Sequence, residues 1–150
     1  MISGEKDYVC CRLGSMLVGI DLSKVQEINR QTAATFVPLV EPYVRGLINL
    51  RGSLVTVLDL GVIVRGEATA ESNKARTVVL ETGDEVHGLV VGEVGDVITV
   101  DHAKVEPLPS HVPAAQRRWF TGMLQLANEL LLLLDVNAVS QLNGPIPSLA

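Results

Sequence analysis

The chain is short of the features that announce most biochemical activities. Only five of its 150 residues are aromatic (Tyr8, Phe36, Tyr43, Trp119, Phe120), so its core must be built from aliphatic and β-branched side chains, which favours a sheet-rich protein. No apolar run approaches the roughly 18 residues of a membrane-spanning helix, and LLLLL at 130–134 is only strand-sized. The opening MISGEKD has neither the basic start nor the apolar stretch of a secretory leader. The two cysteines, Cys10 and Cys11, are neighbours whose side chains would leave a strand on opposite faces, so no spaced disulfide framework exists and a reducing cytoplasm is expected. A net charge of -5 with a pI near 5.1 leaves no basic footprint for nucleic acid.

Catalytic and metal-binding patterns are equally scarce. His87, His102 and His111 lack metal-ligand spacing, and no GxSxG elbow accompanies the serines. Gly83, Gly88, Gly92 and Gly95 match neither phosphate-loop pattern and read as turns and bulges. No enzyme active site, metal or cofactor is expected.

What the chain does have is a repeat of itself. LGSMLVGIDLSKVQEI (13–28) matches TGDEVHGLVVGEVGDVI (82–98) at one constant offset, pairing Gly14 with Gly83, Gly19 with Gly88, Val25 with Val94 and Glu27 with Asp96. VRGLINLRGSLVTVLDL (44–60) likewise matches FTGMLQLANELLLLLDV (120–136), pairing Gly46 with Gly122, Leu54 with Leu130 and Asp59 with Asp135. Each block reads as strands around a turn, at Gly14-Ser15, Gly83-Asp84, Arg51-Gly52-Ser53 and Ala127-Asn128-Glu129. Short helical turns are expected at 23–28, 114–120 and 136–142, the last capped by Asp135, with a polar connector at 65–76 and a frayed NGPIPSLA tail.

Two such units, each too small to bury both faces of its sheet, predict a mainly β protein of two small barrels sharing a core, about 13–64 and 76–136; one open sandwich is the alternative.

The repeat also serves as an internal control. A residue needed only to fold the hairpin should recur, yet opposite Arg45 stands Thr121 and opposite Arg51 stands Ala127. Strand alternation turns Val44, Ile48, Leu50 and Leu54 to the core and Arg45, Asn49 and Arg51 to the opposite face. Two readings stay open: solubilising surface residues or ion pairs with Glu41 or Asp59, against a surface that grips a partner, for which arginine is well suited. Val25, Val94 and Val97 are likewise either core anchors or an apolar patch rimmed by charge.

The ordered blocks LVGIDLSKVQEI, VRGLINLRGSLVTVLDL, HGLVVGEVGDVITV and FTGMLQLANELLLLLDV resemble the CheW family of chemotaxis coupling proteins from about Tyr8 to Leu142. The resemblance implies two intertwined five-stranded β-barrels of SH3-like type with short helices and a C-terminal helix. It also implies a cytoplasmic, non-catalytic adaptor between the tips of methyl-accepting chemoreceptors and the regulatory domain of a CheA-type histidine kinase. The matching receptor positions are Val25, Glu27, Arg51, Val94 and Val97, and the matching kinase segment is Val44, Arg45 and Gly46. Leu17, Thr56 and Gly92 depart from the family's usual aromatic, proline and aspartate.

Overall fold

The computed structural model describes residues 4–30 and 41–142; the expected frayed tail at 143–150 lies outside them. Strands β1 (Glu5–Leu13), β2 (Met16–Asp21), β3 (Val25–Arg30), β4 (Val44–Leu50) and β5 (Ser53–Asp59) lead into helix α1 (Leu60–Arg65). The series then repeats as β6 (Arg76–Thr82), β7 (Glu85–Val91), β8 (Glu93–Asp101), β9 (Phe120–Gln125) and β10 (Leu130–Leu134) before helix α3 (Val136–Ser140), with a short α2 (Ala114–Arg117) before β9. Of the three expected helical turns, the first is a 3-10 turn at Leu22–Lys24 that passes directly into β3, because Val25, Gln26 and Glu27 continue in extended backbone.

The strands form two five-stranded sheets, ordered β8-β1-β2-β10-β9 and β3-β6-β7-β5-β4. Replacing each strand of the first half by its repeat partner converts one order into the other, so the duplication is a pseudo-symmetry of the fold. It is an exchanged one: β1–β2 of the first half lie among β8, β9 and β10, while β6–β7 lie among β3, β4 and β5. The sheets therefore cut across the expected 13–64 and 76–136 units. Nor are they closed barrels. Each is an open sheet with two edge strands, and in the first of them the β9 edge is met only by an isolated bridge from Glu106 to Met123.

Local chemistry explains the turns. Gly14 and Gly83 stand at φ 62° and 61° in matching hairpins, and Arg51 and Gly52 take φ 51° and 88° between β4 and β5, a two-residue turn whose positive φ suits the strand twist. Asp59 caps α1 by accepting from Gly61 N and Val62 N, and Gly66 ends the helix at φ 74°. The run of leucines in β10 lies centrally, parallel to β2 and antiparallel to β9, with Leu131, Leu133 and Leu134 buried; an interior strand covered on both faces has no need of polar alternation.

The main core lies between the sheets and draws on both: Val9, Cys11, Val18 and Ile20 from one, Leu58, Val78, Leu80 and Leu89 from the other. A second cluster of Tyr8, Cys10, Leu17, Leu131 and Leu133 fills the other face of the first sheet. Cys10 and Cys11 thus do point to opposite faces, and burial pushes the Cys11 thiol up to about 12. The helices clasp the sheets together. A Cβ at Gly14, in the β1–β2 turn, would run into the guanidinium of Arg65 at the end of α1, while Ser140 of α3 accepts from Thr82 Oγ1 (3.1 Å) in the opposite sheet and lies 3.4 Å from His87 Nε2.

Candidate docking surface

The two arginines have different fates. β4 pairs with β5 through a bulge between Val44 and Gly46, so Arg45 has no partner in the ladder and its side chain leaves the expected alternation. Its Nε donates to Asp59 Oδ2 at 3.0 Å and its Nη2 to the Thr69 carbonyl at 2.8 Å. Asp59 is buried and also accepts from Thr69 N and Oγ1. Arg45 is therefore the fold's own counter-ion, and of the pairings the sequence left open, the one with Asp59 is found. The expected outward strip of Arg45, Asn49 and Arg51 is corrected accordingly. Beside it, Val44 packs half-buried on the main core and Gly46 is buried at φ 143°.

Arg51 instead occupies the tip of the β4–β5 hairpin, where Asn49 Oδ1 receives Gly52 N. Its side chain is 67% exposed and ion-pairs with Glu27 of edge strand β3, itself 23% exposed. The pair ties the hairpin tip to the sheet edge while leaving most of the guanidinium in solvent.

The three valines also divide. Val25, paired with Leu80 on β3, and Val94, paired with Cys11 on β8, are partly buried against the main core, whereas Val97 is 51% exposed. Val25, Glu27 and Arg51 gather at the β3 edge of one sheet; Val94 and Val97 lie on β8, the edge of the other. Alternation misassigned Leu54, which is 71% exposed because the ladder runs with Val55 and Val57 inward.

Among the described residues the large exposed hydrophobics are Ile28, Leu54, Val97 and Leu130. They fall into two repeat pairs. Ile28 and Val97 stand at the offset that relates Gly14 to Gly83, and Leu54 and Leu130 at the offset that relates Gly46 to Gly122. Each half thus shows solvent one apolar residue on its edge strand and one beside its hairpin tip. Sequence reasoning singled out only Val97; the signal for the rest was the repeat, since a position kept apolar twice despite exposure is not explained by packing.

One more ion pair joins segments distant in the chain. Arg12 makes a two-pronged bond to Glu129 at 3.0 and 2.8 Å, and that hydrogen bond holds the Glu129 carboxyl below its ordinary range. His87 is fully buried, its Nδ1 has no hydrogen-bond partner, and burial lowers its pKa to about 4. Among the described residues no group of His, Cys, Asp and Glu is placed to hold a metal ion, and no helix is long and apolar enough to cross a membrane.

An interlocked, duplicated pair of five-stranded sheets, carrying matched apolar residues on both halves and an exposed ion pair on one, defines a β-sheet module built around its surface. Comparison with known proteins assigns it further: a profile for the CheW-like domain matches residues 7–143, and the chain belongs to that family. It is 29% identical over 138 residues to the chemotaxis protein CheW of Klebsiella aerogenes, covering 90% of this chain and 83% of that one. Against the CheW of Bacillus subtilis identity is 32% over 137 residues, covering 91% and 87%. The crystal structure of the scaffolding protein TtCheW from Thermoanaerobacter tengcongensis superposes with a TM-score of 0.79 at 26% identity, covering 87% of this chain and 84% of that one.

Proposed function

We propose that the chain is a non-catalytic adaptor that couples the cytoplasmic tips of methyl-accepting chemoreceptors to the regulatory domain of a CheA-type histidine kinase, working in the cytoplasm at membrane-associated arrays. The observation that carries this reading is the exposed surface offered by Val97 on edge strand β8 and by the Arg51–Glu27 pair at edge strand β3. A bridging protein needs more than one docking surface, and edge strand β4 offers a second. Family membership supplies the setting.

In this reading a receptor helix lays apolar side chains against Val97 and the half-buried Val25 and Val94, while Arg51 and Glu27 fix its register by charge. The kinase meets the segment Val44–Gly46 on edge strand β4, where Arg45 acts by holding the strand on Asp59 and not by reaching outward. No bond is made or broken. Individual contacts are weak, and repetition in an array supplies avidity.

Arg51→Glu tests the receptor half. The exchange replaces an exposed guanidinium by a carboxylate facing Glu27. Recruitment to receptor-bearing membranes should fall at least about tenfold while Tm stays within a few degrees, as expected of a solvent-exposed pair. Unchanged recruitment would remove Arg51 from the docking surface. A second reading, binding to receptor without kinase, is favoured by the internal commitment of Arg45; a pull-down with the isolated kinase regulatory domain separates the two.

A further inference from the structure

The two halves differ most in what stands against the aspartate that follows the second hairpin. The backbone frame is the same in both. Asp59 N donates to the Tyr43 carbonyl at 2.7 Å, and Asp135 N donates to the Trp119 carbonyl at 2.7 Å. Both hairpins carry a bulge at the same place, so that Arg45 and Thr121 are the residues left out of the ladder. In the first half Arg45 fills the space and neutralises Asp59. In the second, Thr121 reaches only the Leu133 carbonyl at 3.5 Å, and Asp135 spends Oδ1 on Ala138 N, with no cation paired to it among the described residues. A cleft of about 310 Å³ is lined by Thr121 and Asp135 of this half together with Lys6, Tyr8, Asp21 and Lys24 of the first.

We infer that this cleft receives the guanidinium of an arginine carried by a partner protein, which takes against Asp135 the place Arg45 takes against Asp59. The chemistry of the occupied half selects the ligand: one nitrogen of Arg45 bonds a carboxylate while another bonds a second acceptor, a planar fork that an ammonium group cannot reproduce. Here the acceptors are Asp135 and the Thr121 hydroxyl. The remaining charges on the lining set the competing case. Lys6 is held by Asp21 at 3.5 Å, leaving Lys24 and His102 as the groups that would draw an anion instead. The inference does not depend on the adaptor reading, because it follows from the two halves alone.

Titration of the 15N-labelled chain with N-acetyl-arginine amide, N-acetyl-lysine amide and inorganic phosphate tests it by NMR. Saturable shifts of the Thr121, Asp135 and Ala138 amides are expected with the arginine probe and not with the other two. Asp135→Asn, which keeps an oxygen to cap α3, should weaken that response about tenfold, the scale of a lost charge-assisted bond. Thr121→Arg should abolish the response and raise Tm by supplying the guanidinium from within. Equal shifts with the lysine probe, a response to phosphate, no response at all, or an undiminished response in Asp135→Asn would each overturn the inference. Should either variant fail to fold, the comparison of the three probes on the unaltered chain decides alone.

Discussion

Arg45 and Arg51 lie six positions apart on one hairpin, yet their surroundings assign them opposite consequences on removal. Arg45→Ala leaves the Asp59 carboxylate, 3% exposed, without its cation, and stranding one member of a buried pair is costly. A loss of about 3 kcal/mol in denaturant unfolding is expected, against less than about 1 kcal/mol for Arg51→Ala, whose side chain is 67% exposed. Equal losses would show that the Asp59 site is not the anchor its geometry describes. Gly92 poses the same question for a site of close backbone approach. Its N donates to the Arg12 carbonyl at 2.9 Å, and a Cβ there would sit 2.9 Å from that same oxygen. Placing the aspartate that the resemblance implies there, by Gly92→Asp, should therefore destabilise by about 2 kcal/mol, as over-packing does, readable as a lowered denaturant midpoint. The residue-level error of the sequence reading falls at Arg45: periodicity fixes which way a side chain points only while the ladder is regular, and the bulge there breaks it.

At the level of elements, most strands and turns were legible because glycine and asparagine punctuate the chain twice in the same places, and Asp135 announces the start of α3 as an N-cap. What could not be read is the reach of that helix across to the opposite sheet, since contact between α3 and β7 depends on which strands are exchanged. His87 lies at this contact, where the repeat partner is Val18, buried in the main core. Its folded pKa of about 4 lies below the ordinary 6.5, because burial disfavours the charged ring. The unfolded chain therefore takes up the proton first. Stability is full above about pH 6.5 and falls as pH drops toward 4, by up to about 3 kcal/mol at roughly 1.4 kcal/mol per pH unit. His87→Val, borrowing the residue of the other half, should flatten unfolding free energy over that window. An unaltered acid slope in the variant would place the titrating group elsewhere.

Across the whole molecule the exchange of strands is the feature with the largest consequence. The repeat in the sequence shows that there are two units but not which strands each sheet takes, because the pattern of apolar positions is the same whether β1–β2 pair within their own half or with the other. The sheet orders give the answer: cutting the chain in the polar connector, residues 66–75, would leave the N-terminal fragment with hairpins β1–β2 and β4–β5 and the single strand β3 but without β6, β7, β8 and β10, the strands that flank them. Isolated two-stranded hairpins are marginal in water, and in either fragment both walls of the main core would be left incomplete. Fragments 1–70 and 71–150 should therefore each show the narrow amide dispersion of an unfolded chain when purified alone. Mixed from denaturant, they should recover the far-UV circular dichroism and cooperative melting of a folded protein, at a concentration-dependent Tm because folding has become association. Independent folding of either fragment would mean that its sheet closes without the strands of the other half, and the interlocked topology would not hold in solution.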